Sequence, residues 1–153
     1  MQVIEYFKCD KPEHWLYQIG KSDWGAGQYL YKLLSEKRLN DVVGENPKVL
    51  MLTDGNELIS FCTYSKKDDI QPTMLTPWIG FVYTFPQYRG HRYVGKLLQK
   101  IENLAKDEKV HDIFISTDHT GLYEKYGYEF YQMMNDMNGE ASRVYIKHVN
   151  QEE

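Results

Sequence analysis

The chain has 153 residues and carries 18 Lys and Arg against 22 Asp and Glu, a formal charge of −4. That length fits one domain, 1–153, and 42% apolar with 26% charged residues describes a globular chain, not a disordered or membrane-spanning one. The acidic balance, with a pI near 5.7, gives no electrostatic reason to expect a nucleic-acid partner, which calls for clustered Lys and Arg.

In chain order, Val3 to Phe7 reads as a first strand. Pro12 suits the first turn of a short helix carrying Trp15, Leu16 and Ile19, which Gly20 stops. Gly20 to Gly27 reads as loop, and Tyr29, Leu30, Leu33 and Leu34 then recur at helical spacing to near Arg38. The apolar runs Val49 to Leu52 and Leu58 to Tyr64 flank Asp54-Gly55, which favours a tight turn between antiparallel strands. Trp78 to Thr84 is a third central strand, aromatic and β-branched. Val94, Leu97, Leu98, Ile101, Leu104 and Ala105 follow helical spacing and form the clearest amphipathic helix. Ile113 to Ser116 is a strand, Leu122 to Tyr126 a short helix closed by Gly127, and Tyr128 to Met133 and Arg143 to Val149 are the last strands. The order predicts an α/β fold: a mixed, mostly antiparallel twisted sheet flanked by helices on both faces.

The informative segment is Thr84-Phe85-Pro86-Gln87-Tyr88-Arg89-Gly90-His91-Arg92-Tyr93-Val94-Gly95-Lys96, a basic loop between a strand and a strong helix. A helix start leaves backbone N–H groups without partners and carries about half a positive charge, so this end suits a phosphate. Gly90 to Lys96 also spells Gly-x-x-x-x-Gly-Lys, but Leu97 replaces the Ser or Thr that a nucleoside-triphosphate loop needs for Mg²⁺.

Pro-x-Tyr-Arg-Gly before Leu97-Leu98, followed by Tyr123-Glu124-Lys125-Tyr126-Gly127-Tyr128, resembles the acyl-CoA loop and the downstream tyrosine segment of the GNAT superfamily of N-acetyltransferases. The resemblance spans nearly the whole chain and implies the GNAT-like acyl-CoA N-acyltransferase fold. It implies transfer of an acetyl group from acetyl-CoA to an amine by direct attack, with Tyr123 as general acid. Acetyl-CoA would lie between Trp78–Thr84 and Ile113–Ser116, its pantetheine pairing with backbone around Val82 and Thr84. Its diphosphate would meet Arg89, Gly90, His91, Arg92, Tyr93, Val94, Gly95 and Lys96. Arg92 and Val94 stand where the family usually has glycine; both are expected to adopt helical angles, with the Arg92 side chain touching phosphate. A non-catalytic acyl-CoA-binding module is the alternative.

Trp78 to Thr84 contains no carboxylate to act as base. Asp118 beside His119 suits a proton relay to water, or else Asp118 caps the next helix and His119 is a surface residue. Trp24 either walls the acceptor site or packs on the core edge. His14, His111 and His148 show no metal-ligand spacing, so no metal is expected. Cys9 and Cys62, the only cysteines, lack a Cys-x-x-Cys pattern and are expected to be buried strand residues and not nucleophiles. Asp68-Asp69 reads as a solvated loop. The expected acceptor is a small-molecule amine or a peptide N-terminus, the assembly a monomer or homodimer without membrane contact, and the compartment the cytoplasm, since no basic segment followed by an apolar run opens the chain.

Overall fold

The computed structural model describes residues 1–150. Seven strands, β1 (Gln2–Glu5), β2 (Lys48–Asp54), β3 (Glu57–Ser65), β4 (Trp78–Thr84), β5 (Asp112–Thr117), β6 (Glu129–Asn135) and β7 (Ala141–His148), form one sheet in the order β1-β2-β3-β4-β5-β7-β6. All neighbours are antiparallel except β4 and β5. Helices α1 (Pro12–Ile19), α2 (Gly25–Ser35), α3 (Leu39–Val43) and α4 (Val94–Asp107) complete the fold.

The alternation of β2 shows how the layers form. Leu50 and Leu52 point to the α4 face, where they pack with Leu97, Leu98, Ile101 and Ala105. Val49 and Met51 point the other way, into a cluster with Ile19, Leu30, Leu33, Leu39 and Val43 from α1, α2 and α3. A strand buried on both faces loses alternation and reads as a continuous apolar run, as Val49 to Leu52 does. Leu97, Leu98, Ile101 and Ala105 are at most 1% exposed, and full burial of each leucine or isoleucine contributes about 1.5–3 kcal/mol.

Before β2, three boundaries differ from the expectation. β1 stops at Glu5, and Tyr6–Lys8 turn as a 3₁₀ helix closed by Cys9 N–H donating to the Tyr6 carbonyl. α2 begins at Gly25, inside the expected loop; within it, a Cβ at Gly27 would collide with the Ser22 hydroxyl and sit 3.1 Å from Ser22 Cβ. That glycine serves a close approach, not a turn. The helix ends at Ser35, and α3 is an extra turn pinned by buried Leu39 and Val43.

Candidate active site

β4 and β5 pair at Trp78↔Phe114 and Ile79↔Ile115 and then part. The parting has a local cause. On its other side β4 carries a bulge: Phe61 faces Tyr83 and Thr63 faces Gly80, so Phe81 and Val82 together oppose Cys62. Phe81 takes φ +51 to accommodate the extra residue, and bulges of this kind bend the strand that carries them. The cleft so opened encloses about 1290 Å³, with the second half of β4, the Arg89–Val94 loop, the end of β5 and Tyr123 in its walls.

At one end of the cleft the loop runs from a 3₁₀ turn, Pro86–Tyr88, into α4. Gly90 has φ +88 and Arg92 has φ +59. Among the described residues, the amides of Gly90, His91, Arg92, Tyr93 and Val94 have no intramolecular acceptor, whereas those of Gly95 and Lys96 donate to the Arg92 and Tyr93 carbonyls. Five free donors at the start of a 14-residue helix, beside two arginines, make an anion-binding end. The Arg89 Nε donates to the Thr84 carbonyl at 2.8 Å, and its guanidinium lies 5.4 Å from the centre of the Tyr83 ring.

In the cleft wall, Tyr123 is 4% exposed and opens the 3₁₀ turn Tyr123–Tyr126, which Gly127 closes at φ +90. Burial, with smaller contributions from Cys62 and Tyr126, pushes its phenol well above the usual value, so it stays protonated. The turn is seated from two sides. Tyr126 packs on the first turn of α4, where a Cβ at Gly95 would lie 2.9 Å from its ring. Lys147 donates to the Tyr126 carbonyl at 2.6 Å and pairs with Glu102 at 3.0 Å.

The sequence matches the Acetyltransferase (GNAT) family over residues 5–128. The chain belongs to that family. Like the family, it is an acetyl-CoA-dependent N-acetyltransferase. Solved structures share the fold. The aminoglycoside 6'-N-acetyltransferase from Enterococcus faecium has a TM-score of 0.70 at 13% identity, over 100% of this chain and 99% of that one. An aminoglycoside 6'-N-acetyltransferase complexed with coenzyme A has 0.69 at 12%, over 100% and 99%. The protein yncA of Salmonella typhimurium, solved with its cofactor acetyl-CoA, has 0.63 at 12%, over 99% and 95%. None of the curated proteins matches the chain.

Set in this GNAT frame, the expected residues divide. Val82, Thr84, Arg89, Gly90, Arg92, Tyr93, Val94, Asp118, His119 and Tyr123 all line the one cleft; His91, Gly95 and Lys96 do not. His91 instead stacks on Tyr93 at 5.2 Å, and Gly95 makes room for Tyr126. Arg92 is left-handed, not helical, which is why glycine is common there: a side chain at that φ costs about 1–2 kcal/mol. Asp118 and His119 are exposed, no hydrogen bond joins their side chains, and the Tyr123 turn has no side-chain cap. Trp24 both lines the cleft and stacks on Tyr83 at 5.7 Å with 7° between the planes. The Tyr83 hydroxyl in turn donates to Asp23 at 2.7 Å. Cys62 is fully buried, while Cys9 follows β1 and is half-buried.

Asp68 and Asp69 also line the cleft; Asp69 is exposed, as expected of a solvated loop, whereas Asp68 is half-buried. The segment 66–77 is held down by Lys67 N–H to the Val43 carbonyl, by Gln71 to the Val42 and Asp68 carbonyls, and by buried Ile70. Gly80 matters here too, since a Cβ would collide with the Asp68 carboxylate and sit 3.0 Å from Thr63 Oγ1. Nothing in the dipeptide Asp-Asp signals this placement; the signal was Gly80, a glycine inside an apolar strand, which marks a bulge or a close approach.

Proposed function

We propose that acetyl-CoA lies in the β4–β5 cleft with its diphosphate on the amides of Gly90–Val94 and its thioester beside Tyr123. The supporting observation is the conjunction of three things: strands that stop pairing after Ile79, five free amides at the α4 start, and a buried phenol in the wall between them. Arg89 and Arg92 add charge-assisted contacts to the diphosphate. Backbone groups of Val82 and Thr84, on the side of β4 that β5 leaves, pair with the amide groups of pantetheine as an added strand would.

The chemistry is direct attack of an amine on the thioester carbonyl. A primary amine with a pKa of about 10.4 is only about 0.04% neutral at pH 7, so its proton must be removed on the enzyme. The thiolate leaves faster when protonated, and Tyr123, kept neutral by burial, supplies that proton. Asp118 and His119, at the exposed rim, pass protons between the cleft and water. Trp24 and Tyr83 form the wall against which the acceptor sits. The acceptor is a small-molecule amine or a peptide N-terminus, and aminoglycosides, the substrates named for two of the structural neighbours, are the first class to try.

Calorimetric titration with acetyl-CoA, followed by mass-spectrometric screening of an amine panel, tests this. Acetyl-CoA binding that Arg92→Gly weakens, with an acetylated product, is the expected result. Binding without product from any amine would instead make the chain an acyl-CoA-binding module.

A further inference from the structure

We propose that Asp68 takes the proton of the acceptor ammonium, with Asp69 as its positioning partner. The inference rests on the acetyl-CoA site above and adds to it the group that β4 itself does not contribute. Trp78 to Thr84 holds no carboxylate, yet the 66–77 segment lays one on β4 from outside. The contact is specific: the Asp68 carboxylate occupies the space that any side chain at residue 80 would fill. That space lies one residue beyond the last β4–β5 pair, where the cleft opens and a thioester along β4 would present its carbonyl carbon. Beside it, the Thr63 hydroxyl is fully buried and has no hydrogen-bond partner among the described residues.

Asp69 is fixed from the other side. The Asp69 carbonyl accepts from Met137 N–H at 2.9 Å, and on β5 the Ser116 hydroxyl, which also lines the cleft, meets Ser142 at 2.7 Å. The loop is therefore tied to the β6–β7 turn. The other titratable groups facing this end are Asp136 and Glu140 of that turn, Asp118 and His119 beyond β5, and Asp23 with Tyr83 across the cleft. The cleft's cations, Arg89, Arg92 and Lys125, belong to the α4 loop and the Tyr123 turn. Burial first, and then the neighbouring Asp69 charge, raise the Asp68 carboxyl to about 8. A carboxyl so raised is a stronger base than an ordinary aspartate and titrates near working pH.

The proton balance is complete. The ammonium gives one proton to the Asp68 carboxylate, and the neutral nitrogen forms the C–N bond. As the C–S bond breaks, sulfur takes the Tyr123 proton and leaves as CoA thiol. The second nitrogen proton returns through water to Tyr123, and Asp68 releases its own to solvent.

The test compares wild type, Asp68→Asn and Asp69→Asn in three measurements. Calorimetric binding of acetyl-CoA is expected to be unchanged in both variants; its failure in wild type would count against the acetyl-CoA site itself. The pH dependence of kcat/KM is measured with kanamycin and 1,3-diaminopropane, and ¹³C NMR follows the Asp carboxyls. Wild type should show an ascending limb near neutrality and one carboxyl titrating with it. Asp68→Asn should abolish both and lower kcat about 100-fold or more. Asp69→Asn should move both to lower pH, because removing a like charge makes Asp68 easier to ionise. The NMR arm stands even if neither amine is acetylated. An Asp68 carboxyl titrating in the ordinary range, or an Asp68→Asn enzyme with wild-type rate and profile, would overturn the proposal.

Discussion

The roles proposed for Tyr123 and Arg92 separate chemistry from binding. Tyr123→Phe removes only a hydroxyl from a ring already packed at 6.2 Å from Tyr128, so the fold and the acetyl-CoA Kd should hold while kcat falls about 100-fold or more, read by steady-state kinetics. Unchanged kcat would remove Tyr123 from the mechanism. Arg92→Gly should do the reverse. It relieves a left-handed backbone at φ +59 and deletes a cation, so the Tm should stay level or rise while coenzyme A affinity drops about tenfold or more, as for loss of one charged hydrogen bond. Cys9 and Cys62 need no functional account, since Cys62 is buried with its thiol pushed far up by desolvation and so is unreactive.

At the level of elements, α4 is both a core helix and an anion site, and the two roles meet at Gly95. Gly95→Ala would press on the Tyr126 ring and so tilt the turn that carries Tyr123. Activity should fall more than acetyl-CoA affinity, and a larger loss of affinity would show that the phosphate end had moved instead. About two turns further along, Glu102 is 9% exposed and its cationic partner is Lys147. Lys147→Met strands that carboxylate and frees the Tyr126 carbonyl, which should cost about 3–5 kcal/mol in denaturant unfolding. The amphipathic period of α4, the Asp54-Gly55 hairpin and the loop with Tyr123 were legible because each is written in local spacing. α3 and the close approach at Gly27 were not, because their causes are tertiary: Leu39 and Val43 are held by the sheet, and Gly27 by Ser22. The same limit hid the placement of Asp68, which depends on a strand ten or more residues away in sequence, and the packing of Gly95 against Tyr126.

Across the whole molecule, a carboxyl held in a half-buried site near a like charge lowers stability as it ionises. Asp68 has a folded pKa raised above its unfolded value. Its favourable contribution is therefore complete below about pH 4, the unfolded value, and is lost as pH rises through the folded value. Asp68→Asn should consequently raise the Tm at pH 9 relative to wild type and change it little at pH 4, as measured by calorimetric scans. A variant that loses turnover while gaining heat resistance would fit a site that stores strain for function.

The interrupted β4–β5 ladder also bears on how the enzyme is throttled. In the proposed site, main-chain rungs on β4 and a diphosphate cradle at α4 would hold parts that acetyl-CoA and free CoA have in common, and neither would touch the acetyl group. Such uniform attraction cannot tell donor from spent carrier. The thiol product should therefore compete with donor at nearly equal strength, tying turnover to the cell's ratio of charged to discharged carrier.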